Sequence, residues 1–327
     1  MADRRLLLLI VAVIALGIAV IVLWSRRPDT DRVVPPQQEE LSPAATEEPP
    51  REPITVIAAA DIACDPDEDG FRDGEGREGV CQQMATSEVA LAAEPDLVLM
   101  PGDTQYEEAE LDDYRESFHP SWGRLKERIR PVPGNHEYGT EDAAGYFAYF
   151  GDAAGDPSRG YYAFEQGDWL IVGVNSVCEE VGGCEPGDDQ FEWLRQTLEG
   201  SDATCQLAFW HHPRWSNGNY DDDDSVAAMY ELLYEHGVEL LLSGDSHNYQ
   251  RFEPLDPDRQ VSEEGVRQFV VGAAGKNLKE AEPGGSLAAA NFEEMGVLAL
   301  ELRAGDYSWE FLSTGHAFTD TGTADCR

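Results

Sequence analysis

The sequence predicts an α/β fold with two sheets, and three features carry that expectation. Five apolar segments each read as a short buried strand that delivers Asp, Asn or His at its C-terminal end: ITVIAAAD at 54–61, DLVLMPGD at 96–103, IRPVPGNHE at 129–137, CQLAFWHHP at 205–213 and VELLLSGDSH at 238–247. Helical stretches fall between them, at about Ala85–Ala93, Ala143–Phe150, Asp188–Leu198 and Val226–Glu235. Three later segments, RQFVVGAAG, GVLALEL and DYSWEFL, look like consecutive antiparallel strands that complete a second sheet. In sheets wound this way ligands sit beyond the carboxyl ends of the strands, so the five polar clusters are expected to converge on one site.

Taken in chain order, the first element is the uncharged run LLLLIVAVIALGIAVIVLW from Leu6 to Trp24, long enough to cross a bilayer as a helix. An uncleaved anchor is expected over a cleaved signal peptide, because no small-residue cleavage site stands where the run ends at Trp24-Ser25-Arg26-Arg27. Arg4 and Arg5 precede the run and Arg26, Arg27 and Arg32 follow it, so basic residues do not choose its orientation. From Ser25 to about Pro53 the chain is rich in Pro, Glu, Arg and Thr with few apolar residues, and it reads as a stalk. The expected division is an anchor over residues 1–27, a stalk over 28–53 and one large folded domain over 54–327, with no internal repeat.

Asp and Glu number 64 against 23 Lys and Arg, giving a net charge of -41. Such a surface repels nucleic-acid backbones and anionic lipid, so no nucleic-acid partner is expected. Lysine occurs only at Lys126, Lys276 and Lys279, and arginine supplies the remaining positive charge, which fits a salt-adapted or GC-rich source. All six cysteines lie beyond the hydrophobic run, and an even count in an exported chain reads as disulfides. Cys178 and Cys184 flank a short Glu-Glu-Val-Gly-Gly loop, Cys64 could pair with Cys81, and Cys205 with Cys326. That is one of about fifteen pairings that six cysteines allow. Six reduced thiols in a cytosolic domain are the alternative, disfavoured because Cys326 lies one residue from the chain end.

Phosphate esters resist attack because their oxygens repel nucleophiles, and a pair of metal ions answers this by neutralising those oxygens and activating water. Such a pair needs a bridging carboxylate, terminal oxygen and imidazole ligands, and an uncoordinated acid near the leaving group. The strand ends supply each kind. Asp61, Gly102-Asp103-x-x-Tyr106, Gly134-Asn135-His136-Glu137, His211-His212-Pro213 and Gly244-Asp245-Ser246-His247 form an ordered set that resembles the calcineurin-like metallophosphoesterase superfamily, nearest its purple acid phosphatase branch. Tyrosine three residues after the second aspartate is the mark of that branch, and the resemblance spans about Ile54 to Leu312.

The resemblance implies a four-layered α/β/β/α sandwich of two mixed sheets flanked by helices. It implies Asp61, Tyr106 and His247 on a first, usually ferric, metal, Asn135 and His211 on a second, and Asp103 bridging both. His136 and His212 match residues that contact the phosphate and serve the leaving oxygen, and the acid role is assigned to His136. The expected metals are iron with manganese, zinc or magnesium. The expected reaction is hydrolysis of a small phosphomonoester by a metal-bound hydroxide, with phosphodiesterase or nucleotide hydrolase activity as the alternative on the same core. A degenerate surface protein with little turnover is the reading from outside the enzyme class.

One departure motivates that last reading. The family's final motif usually begins Gly-His, whereas this chain has Gly244-Asp245, and aspartate is a harder, anionic ligand that favours Mn, Mg or Fe over Zn. Taken singly, Asp61 and Asn135 would be turn residues, Tyr106 a half-buried aromatic, and His211 and His212 core histidines. Their order along five strand ends reverses that reading. His119 and His236 belong to no cluster. Asp65-x-Asp67-x-Asp69-Gly70 opens like a calcium loop but has Gly76 at the twelfth position, and the Asp221–Asp224 run reads as a solvated loop.

Overall fold

Side chains alternate across each strand, and that alternation decides which layer each face of a sheet meets. The computed structural model describes residues 52–218, 222–280, 282 and 284–327; the expected anchor over 1–27 and all but the last two residues of the expected stalk over 28–53 lie outside them. In chain order the strands begin with β1 (Ile54–Ala58), β2 (Leu97–Pro101), β3 (Ile129–Val132), β4 (Tyr162–Gln166), β5 (Trp169–Gly173) and β6 (Cys205–Phe209). They continue with β7 (Leu240–Ser243), β8 (Tyr249–Phe252), β9 (Arg267–Val271) and β10 (Leu287–Asn291). The last three are β11 (Gly296–Leu302), β12 (Asp306–Ser313) and β13 (Thr321–Asp325). One sheet has the order β13-β12-β11-β1-β2-β3 and the other β10-β8-β9-β7-β6-β5-β4.

The sheets pack face to face through Val56, Ala58, Leu97 and Leu99 on one side and Ile171, Leu207, Phe209 and Leu242 on the other. The intervening residues point outward. Ile57, Val98 and Met100 meet α1 (Gln83–Ala92), α2 (Ala144–Phe150) and the irregular helical turns of residues 111–128, where Tyr114, Phe118 and Trp122 fill the layer. Val172, Ala208 and Leu241 meet α3 (Asp189–Glu199) and α4 (Ala227–Glu235). In α3 the buried Phe191, Leu194 and Leu198 recur at three and four residues, the stripe a helix needs to lie on a sheet. The four layers expected from the sequence are therefore present, and the strands read as unbroken apolar runs because both faces are covered.

The late strands correct one expectation. RQFVVGAAG does not lie beside GVLALEL and DYSWEFL: β9 pairs in parallel with β7 and antiparallel with β8, in the second sheet. GVLALEL and DYSWEFL form the antiparallel β11–β12 pair, and β11 joins β1. An apolar run buried on both faces has no pattern that names its neighbour, so the sequence could place β9 in either sheet.

All three suggested disulfides form, Cys64–Cys81, Cys178–Cys184 and Cys205–Cys326. A further clasp joins the two sheets near their ends. Asp320, just before β13, accepts two hydrogen bonds from Arg251 on β8, at 2.8 and 2.9 Å, and one from the Tyr249 hydroxyl at 2.6 Å. Burial pushes the Asp320 carboxyl up, but Arg251 and Tyr249 outweigh it and hold the group below its ordinary value. A carboxylate depressed on folding adds stability that is complete above its unfolded value, near about pH 4, and is lost as pH falls through the folded value. Asp320→Asn is therefore expected to cost about 3 kcal/mol at pH 7 by leaving Arg251 without a buried anionic partner. Thermal unfolding at pH 7 and pH 3 checks this: the gap between variant and wild type should close in acid, and an equal gap at both would refute it.

Candidate metal centre

The five strand-end clusters meet where the carboxyl ends of β1, β2 and β3 face those of β6 and β7. Backbone bonds stitch the ends together: the Ile62 N–H donates to the Asp103 carbonyl (2.9 Å) and the Gly244 N–H to the His211 carbonyl (2.8 Å). Asp61, Asp103 and Asp245 all have left-handed backbones, with φ of 58°, 48° and 63°. Aspartate tolerates this conformation at a cost of about 1–2 kcal/mol per residue, and such strain is concentrated where side chains must be aimed. Two glycines make room for them. A Cβ on Gly102 would lie 2.6 Å from His211 Nδ1, and one on Gly134 would lie 2.2 Å from Asp103 Oδ1.

On one side of Asp103 the Tyr106 hydroxyl lies 2.7 Å from Asp61 Oδ1, 2.8 Å from Asp103 Oδ2 and 3.2 Å from His247 Nε2. His247 Nε2 is 3.3 Å from Asp61 Oδ1. On the other side His211 Nε2 lies 3.1 Å from Asn135 Oδ1, 3.4 Å from Asp103 Oδ1 and 3.7 Å from Asp245 Oδ1. The two oxygens of Asp103 thus face different groups. Adjacent ligands on an octahedral ion with bonds of about 2.1 Å are about 3 Å apart, the spacing found here. Asp61 Oδ2 is buried with no hydrogen-bond partner among the described residues, which suits a metal-binding oxygen and costs folding free energy otherwise. The donor set of carboxylates, imidazoles, an amide oxygen and a phenol therefore fits metal ions.

The histidine tautomers follow from their neighbours. His211 Nδ1 donates to the Pro101 carbonyl (3.0 Å), which only accepts, so in the neutral form that binds a metal Nε2 keeps its lone pair toward Asn135 and Asp103. His247 Nδ1 bonds Asn277 Oδ1, which directs its Nε2 at Tyr106 in the same way. His136 Nδ1 donates to the Glu107 carbonyl (2.6 Å), and its Nε2 stands 3.9 Å from Asp103 Oδ2, part-exposed. His212 turns Nδ1 to the Ser176 hydroxyl (3.0 Å) and packs against His211.

Electrostatics reflect the crowding of anions. Burial raises the Asp61 carboxyl well above its ordinary value; His211 opposes this, while Asp103 and Asp245 add to it. Burial also pushes Asp103 up, but the His211 and His136 imidazoles and the Tyr106 hydroxyl outweigh it and hold the group low. Burial disfavours charge on His211, yet Asp103, Asp61 and Asp245 hold the imidazole well above its usual range. Burial and the neighbouring His211 lower His212.

All nine expected residues, Asp61, Asp103, Tyr106, Asn135, His136, His211, His212, Asp245 and His247, come together. His119 does not, and bonds Tyr149 in the helical layer instead. Several supporting residues carry no signal that a motif would show. Ser176 accepts the backbone N–H groups of both His211 and His212, at 3.1 and 2.9 Å. Asn277 orients His247 from beyond β9. Glu137, present in the third cluster but given no role from sequence, accepts from the Asp103, Thr104 and Gly134 N–H groups, at 2.9, 2.8 and 2.7 Å. It ties the loop after β2 to the loop after β3, and its place beside Asn135 and His136 was the available clue.

The model of the calcineurin-like phosphoesterase family matches residues 80–249, just over half of the chain. The chain belongs to the calcineurin-like phosphoesterase family. Asp61 precedes the matched residues, and every other expected site residue falls within them. Among curated relatives, purple acid phosphatase 15 of Arabidopsis thaliana is 27% identical over 229 residues, 57% of this chain and 41% of its own length. Purple acid phosphatase 21 of the same plant is 29% identical over 184 residues, 49% of this chain and 39% of its own. The chain thus spans about two fifths of these curated relatives.

Two solved structures share the fold of this calcineurin-like phosphoesterase family member. A purple acid phosphatase from yellow lupin seeds superposes with a TM-score of 0.65 at 15% identity, over 84% of this chain and 54% of that one. GAP50, the anchor in the inner membrane complex of Plasmodium, gives 0.61 at 13% identity, over 85% of this chain and 90% of that one. At these identities the likeness concerns the sandwich itself.

Proposed function

We propose that the chain is a metal-dependent phosphoester hydrolase whose two metal subsites share Asp103. The observation that carries this reading is the meeting of six donor side chains from five strand ends around Asp103, whose two oxygens face different groups. Asp61, Tyr106 and His247 would hold one ion, and Asn135, His211 and Asp245 the other. Bound ions supply the Lewis acidity that neutralises phosphoryl oxygens and renders water nucleophilic near neutral pH.

The protein's own part is to place and protonate. His136 keeps Nδ1 on the Glu107 carbonyl, so in its protonated form Nε2 carries the proton passed to the leaving oxygen. His212, half-buried and with Nδ1 on Ser176, offers its other nitrogen for orienting the phosphate. A phosphomonoester is the favoured substrate class, in keeping with relatives named purple acid phosphatases. Turnover of p-nitrophenyl phosphate against its bis ester, after loading with iron and manganese, zinc or magnesium, separates monoesterase from diesterase. A protein holding less than one ion and hydrolysing neither would be a binding module.

Asp245 stands where the family pattern has histidine, and its reach toward His211 supports a ligand role for it. Asp245→His is expected to raise zinc affinity relative to manganese at the second subsite, since imidazole is the softer donor. Competition titrations read that ratio, and an unchanged value would remove residue 245 from the ligand set.

The three disulfides belong to an oxidising compartment, and with the apolar run of residues 6–24 they support an extracytoplasmic domain held by an N-terminal anchor. No helix among the described residues is long and apolar enough to cross a membrane, and the run lies outside them. Membrane fractionation of cells, with protease accessibility of the domain, tests this; release of the full chain by salt alone would contradict it.

A further inference from the structure

The segment Gly275-Lys276-Asn277, beyond β9, touches all three groups assigned to the first metal subsite. The Lys276 N–H donates to the Asp61 carbonyl (2.9 Å). Asn277 fixes His247. The Lys276 ammonium sits 4.8 Å from the centre of the Tyr106 ring, on its face.

Lys276 is only 8% exposed, and a lysine is rarely so buried without charged partners. It has two: the ammonium donates to the carboxylates of Glu68, in the loop closed by Cys64–Cys81, and of Glu107, next to Tyr106. Glu107 is also the residue whose carbonyl holds His136 Nδ1, and the His136 ring packs on Tyr106 with centroids 4.3 Å apart. One cation therefore braces the tyrosine ring, the backbone that orients the acid histidine, and the loop closed by Cys64–Cys81. A glutamine could occupy much of the space, but only a cation both joins two carboxylates and lowers the energy of electrons on the ring beneath it.

We propose that Lys276 is a positioning residue of the first metal subsite, clamping the Glu107 segment and setting the donor strength of Tyr106 through the face of its ring. This rests on the reading that Tyr106 is a metal ligand. The Lys276 charge stabilises the phenolate's donor electrons, so charge transfer from phenolate to a ferric ion requires more energy with it than without it. Glu68 opposes that effect by compensating the ammonium.

The test loads the full chain, in detergent, with ferric iron alone and records its visible absorption and iron affinity. A phenolate-to-iron band is expected in the wild type and absent in Tyr106→Phe. Lys276→Gln should move the band to longer wavelength and weaken iron binding by about tenfold, the usual scale for a group that orients a ligand. Lys276→Arg should restore both, and Glu68→Gln should move the band to shorter wavelength. A folded, iron-loaded Lys276→Gln protein with unchanged band and affinity overturns the proposal. Should Lys276→Gln fail to fold, an unmoved band in Glu68→Gln overturns it instead. A wild type without the band, or a Tyr106→Phe protein that keeps it, removes Tyr106 from the ligands, and the proposal falls with that reading.

Discussion

Asp103→Ala is expected to lower kcat/KM for p-nitrophenyl phosphate by about 1,000-fold or more, a loss of roughly 4 kcal/mol of transition-state stabilisation, as when one member of a catalytic unit is removed. The size follows from its position. Oδ2 meets Tyr106 at 2.8 Å, while Oδ1 stands 3.4 Å from His211 Nε2 and accepts the His136 N–H at 3.1 Å. On the proposed two-subsite reading, removing the carboxylate withdraws a donor from both subsites, and it frees the backbone that carries His136. Alanine also fits the left-handed backbone at this position poorly, so Asp103→Asn is the companion variant that separates strain from lost charge. Both should bind fewer metal ions than wild type by elemental analysis. An Asp103→Asn protein with full metal content and full turnover would remove the shared carboxylate from the mechanism.

Opening the Cys205–Cys326 disulfide is expected to have the largest effect on stability. The bond closes a loop of 121 residues, for which chain entropy alone gives about 5 kcal/mol. Cys205 starts β6, whose far end leads to His211 and His212, and its partner lies next to the last residue of the chain. Cys205→Ser with Cys326→Ser should lower the thermal midpoint by several degrees more than opening Cys178–Cys184, which spans only six residues. Equal shifts for the two double variants would contradict the entropic account.

Much of the site was legible because its chemistry is punctuated. Gly102-Asp103, Gly134-Asn135 and His211-His212 each end an apolar run that is buried on both faces, and a polar residue there has few places to go except a shared cleft. The helices were legible for a similar reason, since α3 repeats its apolar residues at helical spacing. β4 and β5 were passed over, and β9 was grouped with β11 and β12 instead of β7 and β8, because short strands without a motif carry only their hydrophobicity. Lys276, Asn277 and Ser176 were not legible at all. Their roles lie in distances to residues thirty or more positions away, which nothing in local sequence records.

The amino-acid sequence by itself determined the alternation of strands and helices, the order of the strand-end clusters and the kinds of donor atom they deliver, because each of these follows from side-chain type and local period. Only the tertiary structure decided which sheet β9 joins, that Asp245 comes within 3.7 Å of His211, and that Lys276 covers Tyr106. Those outcomes depend on how two twisted sheets pack across a common core, and that packing is fixed by contacts between residues far apart in the chain.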